Sequence, residues 1–147
     1  MSMKCHPCIP VVAAAALFCA VSAGLPAAAH AQEGDKPYTV EGGKVDQGTY
    51  NGFRRYHSIC HTCHGPDGLG GSFAPNLAES LKVLKFEEFI GIVAGGRQNV
   101  SASSESVMPA FAHDPNVMDH IQDIYAYLKA RSDGVLGRGR PERLAQK

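Results

Sequence analysis

The 147-residue sequence has no tryptophan, and aromatic residues make up only 7% of it. A core of side chains alone would be modest, and a bound group filling the interior would steady a chain of this size. Neither charge sign dominates, since 14 basic and 14 acidic residues cancel. Nothing in that balance points to a nucleic-acid partner, and none is expected. No apolar run reaches the ~20 residues of a membrane span. No segment repeats, and no stretch alternates convincingly as a strand.

Cysteine becomes scarce once the beginning of the chain is understood. Lys4, the apolar run from Val11 to Val21 and Ala29-His30-Ala31 make the pattern of a secretory signal peptide over residues 1–31. An uncleaved membrane anchor is the alternative. Lipidation at Cys19 fits poorly beside the bulky Leu17 and Phe18. Cleavage after Ala31 removes Lys4, Cys5, Cys8 and Cys19 and leaves residues 32–147 with one net negative charge. That is one domain by length, with a core over 46–131 and a Gly- and Arg-rich tail over 132–147. Only Cys60 and Cys63 remain in it.

Both lie in CHTCHG, Cys60 to Gly65. Three chemistries compete for such a cluster. Structural zinc wants four ligands, and the Cys5/Cys8 pair is cut away. A redox dithiol normally opens a helix after a strand, and no strand precedes Cys60. Covalent haem explains the spacing: C-x-x-C-H is the attachment signature of c-type haem. Positions i, i+3 and i+4 of a helical turn share a face, so Cys60 and Cys63 can form thioethers while His64 ligates iron. His61 and Thr62 are then spacers facing outward. One haem c is expected.

The sixth iron position has four candidates after His64, namely Met108, Met118, His113 and His120. Met108 is favoured. It follows a polar stretch, RQNVSASSES, that reads as a loop, and Pro109 pushes it out of helical geometry. Met118 fits packing at the start of the last helix, and the two histidines read as surface residues. A closed Met/His site suits electron transfer, whereas an open site would suit a haem enzyme or gas-binding protein.

Two helices should frame the site. Asp46 caps the first, where Tyr50, Phe53, Tyr56 and Cys60 recur at helical spacing. Asp114-Pro115 opens the last, with a stripe of Val117, Ile121, Ile124, Tyr125 and Leu128 and with Gly134 after its end. A glycine inside a helix costs roughly 1 kcal/mol, so Gly52 suggests that the last helix crosses the first there. Between them lie a short turn around Leu81 and Leu84 and a longer helix over Phe86, Phe89, Ile90 and Val93, ended by Gly95-Gly96. Residues 32–44 read as a flexible or extended arm and the tail as solvated or surface-draped, with a docking element as the alternative.

These residues carry a resemblance. GFRRYHSICHTCHG, APNL, MPAF and DIYAYLKA are similar to the motifs of class I cytochromes c over residues 46–131. That resemblance implies an all-α fold with crossing N- and C-terminal helices and a covalent haem as core. It implies helix contacts at Tyr56, Ile124 and Tyr127, and a Pro75 carbonyl accepting the Nδ1 hydrogen of His64. The runs CHGPDGLGGSFAPNL, GRQNV, VMPAF and YLKARSDGVLGRGRP resemble periplasmic cytochromes c that accompany PQQ-dependent methanol dehydrogenases, particularly the lanthanide type. The resemblance implies a monomeric periplasmic one-electron carrier, not an enzyme. Its donor would be such a methanol or alcohol dehydrogenase, and its acceptor another cytochrome c or a terminal oxidase. Apolar Phe73, Leu77 and Phe111 would exclude water and offer a transient contact patch at the haem edge, with plain haem-pocket packing the alternative for Phe111. The alternatives are an open-site haem protein and the haem subunit of a membrane-tethered complex. The four-helix gas-binding cytochromes carry the motif near the C-terminus, which this chain does not.

Overall fold

The first helix, α1, runs Gln47–Ile59 and starts where the sequence says it should. Asp46 caps it, accepting from the Thr49 amide at 2.9 Å and the Thr49 hydroxyl at 2.7 Å. The same carboxylate accepts the Thr39 amide at 2.6 Å, which ties the preceding segment to the helix. Burial alone would push its pKa up, but the bonds from Thr39, Thr49 and Gly48 outweigh that and hold it below the ordinary value. The computed structural model describes residues 36–100 and 105–145; the segment read as a signal peptide lies outside them.

The remaining helices are α2 (His61–His64), α3 (Leu77–Ser80), α4 (Phe86–Gly95), α5 (Pro115–Met118) and α6 (Ile121–Ser132). Helices α1 and α6 cross at Gly52. A Cβ there would lie 1.8 Å from the Asp123 carbonyl oxygen and 2.4 Å from its carbon, so only glycine admits the approach. Tyr56, Ile124 and Tyr127 seal the crossing and are all buried. The Tyr127 ring lies 5.5 Å from Tyr56 and edge-on to Phe53 at 5.6 Å. Rings that are fully buried contribute about 1.5–3 kcal/mol each. On the other side of α6, Phe86 and Phe89 of α4 lean on Tyr125 at 5.0 and 5.3 Å.

The last helix is two helices. Asp114 caps Asn116 at 2.9 Å, as the Asp-Pro pair foretells, but α5 ends at Met118. His120 leaves helical geometry (φ −122°, ψ 16°), and α6 starts afresh. The short turn expected around Leu81 and Leu84 lies earlier, because the Asn76 side chain caps Glu79 at 3.1 Å and starts α3 at Leu77.

Small strands join the helical frame, where none was legible. β1 (Val40–Glu41) pairs antiparallel with β2 (Lys44–Val45), which pairs parallel with β5 (Glu142–Arg143). Residues 36–44 are therefore part of the fold, with Tyr38 and Val45 buried. The polar stretch after Gly96 is a strand pair, β3 (Arg97–Val100) against β4 (Glu105–Met108). Two- and four-residue strands are too short for alternation to show. The tail is likewise anchored: Leu136 is buried, and the Leu144 amide donates to the Val45 carbonyl at 2.8 Å.

Candidate haem site

Cys60 ends α1 and opens α2, so the motif forms one continuous turn. The amides of Cys63 and His64 donate to the Cys60 carbonyl at 3.3 and 3.0 Å. Both cysteines are free thiols. Burial pushes the Cys60 thiol up to about 11, while Cys63 is exposed. His64 is buried at 8% exposure, and its Nδ1 lies 3.1 Å from the Pro75 carbonyl oxygen. A carbonyl only accepts, so Nδ1 donates its hydrogen, and in the neutral ring Nε2 then keeps its lone pair. Among the described residues nothing bonds to Nε2.

The loop from Gly65 to Asn76 puts Pro75 there. The Tyr56 hydroxyl donates to the Gly65 carbonyl. The Gly70 amide donates to the His64 carbonyl at 2.8 Å and the Leu77 amide to the Gly68 carbonyl at 2.7 Å. Gly70, at φ +79°, has its backbone against Asn76, whose nitrogen would be 2.6 Å from any Cβ. A side chain at this position would be strained and would displace the Pro75–Asn76 peptide.

Met108 is the last residue of β4, opposite Arg97, rather than a residue of an open loop. It is partly buried and packs against the core. Gly96, at φ +72°, brings its backbone so close that a Cβ would lie 2.6 Å from the Met108 carbonyl oxygen. Beyond Pro109, the Phe111 amide donates to Val93 at 3.0 Å, which fixes the strand's exit on the end of α4. The hairpin thus fixes the backbone of Met108 from both sides.

Met118 closes α5 and is partly buried against the core. His113 is exposed. His120 is half-buried, not a plain surface residue: its Nδ1 lies 3.2 Å from the Asn51 amide nitrogen, which also donates to Asp123 at 2.6 Å. His61 does not face outward. It lies one turn after His57 and stacks on that ring at 5.7 Å and 20°. Its Nδ1 is buried without a partner among the described residues. Thr62 is exposed, as expected. Phe73 is 79% exposed, while Leu77 and Phe111 are partly buried against the core. The sequence reading missed Asp67, whose carboxylate meets Arg138 and Gly139, partners more than 70 positions away.

Two free thiols and an imidazole with an unengaged Nε2, gathered on one helical turn, fit a covalently held haem. The fold and this turn define a c-type cytochrome. A family model described as "Cytochrome C oxidase, cbb3-type, subunit III" matches residues 48–128, more than half the chain. Cytochrome c-553I of Paracoccus denitrificans is 47% identical over 108 residues, covering 74% of this chain and 48% of that one. Cytochrome c-555 of Methylococcus capsulatus (Bath) is 42% identical over 100 residues, covering 67% and 75%. The crystal structure of c-type cytochrome XoxG from Methylobacterium extorquens AM1 aligns with a TM-score of 0.65 at 51% identity, covering 74% of this chain and 65% of that one. The chain belongs to the class I cytochromes c, whose cofactor is covalent haem c. It spans about half the length of cytochrome c-553I and just under two thirds of XoxG. No helix among the described residues is long and apolar enough to cross a membrane.

Proposed function

We propose that this chain, cleaved after Ala31, is a periplasmic monohaem carrier. It takes single electrons from a PQQ-dependent methanol or alcohol dehydrogenase and passes them to another cytochrome c or a terminal oxidase. Cys60 and Cys63 would hold the haem as thioethers, and His64 and Met108 would ligate its iron. Haem c, when bound, supplies a one-electron iron couple, whose potential Met/His ligation raises. The protein's task is to hold, orient and shield.

The observation that carries this reading is the His64 Nδ1 to Pro75 carbonyl bond of 3.1 Å. It fixes the tautomer that leaves Nε2 as a ligand, orients the ring and raises its basicity. The β3–β4 hairpin supports Met108 as the second ligand, because a methionine held on both sides of its backbone moves little between redox states. Phe73 offers an apolar contact for transient docking. The 51% identity to XoxG supports a donor of the methanol dehydrogenase type.

Stopped-flow mixing with PQQ-dependent methanol dehydrogenase from the same organism, supplied with methanol, tests the proposal. Fast, saturable reduction of the ferric protein is expected, with neither oxidation state binding carbon monoxide readily. Met108→Ala should open the ferrous protein to carbon monoxide. Absence of reduction, with a Met/His spectrum, would remove this donor. Immediate carbon monoxide binding by the unmodified ferrous protein would replace the carrier with an open-site haem protein.

A further inference from the structure

The C-terminal tail leaves α6 at Ser132 and is tied down repeatedly before it reaches β5. The Tyr38 hydroxyl donates to Asp133 at 2.6 Å, and the Arg131 guanidinium donates to the Leu136 carbonyl at 2.6 Å. Arg140 donates from Nε to the Tyr50 hydroxyl at 3.0 Å. Between these anchors the tail meets Asp67, three residues past His64. Arg138 Nε donates to Asp67 Oδ2 at 2.8 Å and the Gly139 amide to Oδ1 at 2.9 Å. Arg131 Nε donates to the Asp67 backbone carbonyl at 3.3 Å. Asp67 is 5% exposed. A buried carboxylate this well satisfied holds its surroundings firmly, since leaving any part of it unpaired is costly.

Asp67 lies in the loop that delivers the Pro75 carbonyl to His64. We infer that the tail is a strap, and that Asp67 and Arg138 are positioning residues that set the His64–Pro75 hydrogen bond and through it the iron's potential. This rests on His64 being the proximal ligand. The hydrogen bond raises imidazole basicity and favours the ferric state. Slackening the strap weakens the bond and raises the potential.

The sign of the shift makes the inference testable. Removing the Arg138 cation acts through space to disfavour the ferrous state, which would lower the potential. Loss of positioning acts oppositely. Arg138 is 72% exposed in its side chain, so its direct charge effect is screened, and in its absence the Gly139 amide still donates to Asp67 Oδ1.

The experiment compares haem-loaded wild type, Arg138→Gln, Arg138→Lys, Asp67→Asn and Tyr50→Phe. The readouts are spectroelectrochemical potential and NMR exchange of the His64 Nδ1 hydrogen in the ferrous protein. Arg138→Gln should raise the ferrous-to-ferric ratio at fixed ambient potential by about threefold to tenfold, tenfold being ~59 mV for one electron. It should speed Nδ1 exchange by a similar factor. Arg138→Lys should restore part of both, and Asp67→Asn should shift both in the same direction as Arg138→Gln. Tyr50→Phe cuts the Arg140 anchor but spares Asp67 and should leave both unchanged. A fall in potential with unchanged exchange in Arg138→Gln would reduce Arg138 to a surface charge and overturn the strap. Equal shifts in Tyr50→Phe would overturn it in favour of general loosening. If wild-type spectra show no histidine ligation, the ligand reading fails and the strap's effect with it. If ligation is intact and Arg138→Gln does not raise the potential, the strap alone fails.

Discussion

Gly52→Ala is the sharpest test of how the helices are assembled. The new Cβ would lie 1.8 Å from the Asp123 carbonyl oxygen, against an ordinary carbon–oxygen contact of ~3.3 Å. The atoms that must yield are backbone in both helices, so the axes have to part by about 1.5 Å. Overpacking costs typically 1–3 kcal/mol and occasionally more. Parting the helices also loosens Tyr56 and Tyr127, each worth about 1.5–3 kcal/mol when fully buried. Alanine's helix preference returns about 1 kcal/mol. The net expectation is a loss of about 2–4 kcal/mol, which lowers the guanidinium midpoint by roughly 0.5–1 M at the slopes usual for small domains. The assay is equilibrium unfolding of the haem-loaded protein by far-UV circular dichroism. Gly91→Ala is the control. Gly91 is exposed in α4, with nothing within 4 Å of its ideal Cβ, so the same substitution should stabilise by about 0.5–1 kcal/mol. A Gly52→Ala protein within 0.5 kcal/mol of wild type would refute the crossing, because no side-chain adjustment moves that carbonyl.

Gly96→Ala should act on the hairpin rather than on global stability: a side chain at φ +72°, 2.6 Å from the Met108 carbonyl, pushes the strand away. With Met108 as the proposed ligand, visible spectra should then show its partial loss, and the ferrous variant should bind carbon monoxide faster than wild type. The acid side of the stability profile is set by Asp46, Asp67 and Asp133. Burial raises each, but hydrogen bonds hold all three below the ordinary carboxylate value, helped at Asp67 by Arg131 and Arg138 and at Asp133 by Lys129. A depressed native pKa gives stability that is fully present above the unfolded value of ~3.9 and lost as pH falls through the native one. Denaturation midpoints should therefore be flat above about pH 5 and fall steeply below about pH 4, less steeply in Asp67→Asn.

What the sequence displays is local chemistry with fixed spacing. Cys60, Cys63 and His64 share one turn whatever surrounds them, and Asp46 caps whatever helix follows it. Gly52 was legible for a subtler reason: a helix tolerates an interior glycine when something large comes close, and the α6 backbone does. The hidden features are those in which the partners lie far apart along the chain. Asp67 meets Arg138 across 71 positions, and β2 finds β5 across nearly 100, with no periodicity in either segment to announce it. His61 looks like a spacer because the motif names its neighbours and not itself, yet helical spacing from His57 folds it inward. The split between α5 and α6 is hidden for another reason. Its apolar stripe continues across the break, since Val117 and Ile121 are both buried, and burial is what a stripe records. A pattern of hydrophobic residues thus reports which side chains face the core, whereas the continuity of the backbone between them depends on hydrogen bonds that no pattern encodes. The tail follows the same rule. Its Gly- and Arg-rich composition reads as solvated because glycine and arginine bury little side chain, but what fastens it is an amide and a guanidinium on a buried carboxylate, polar groups acting at a distance in sequence that composition does not record.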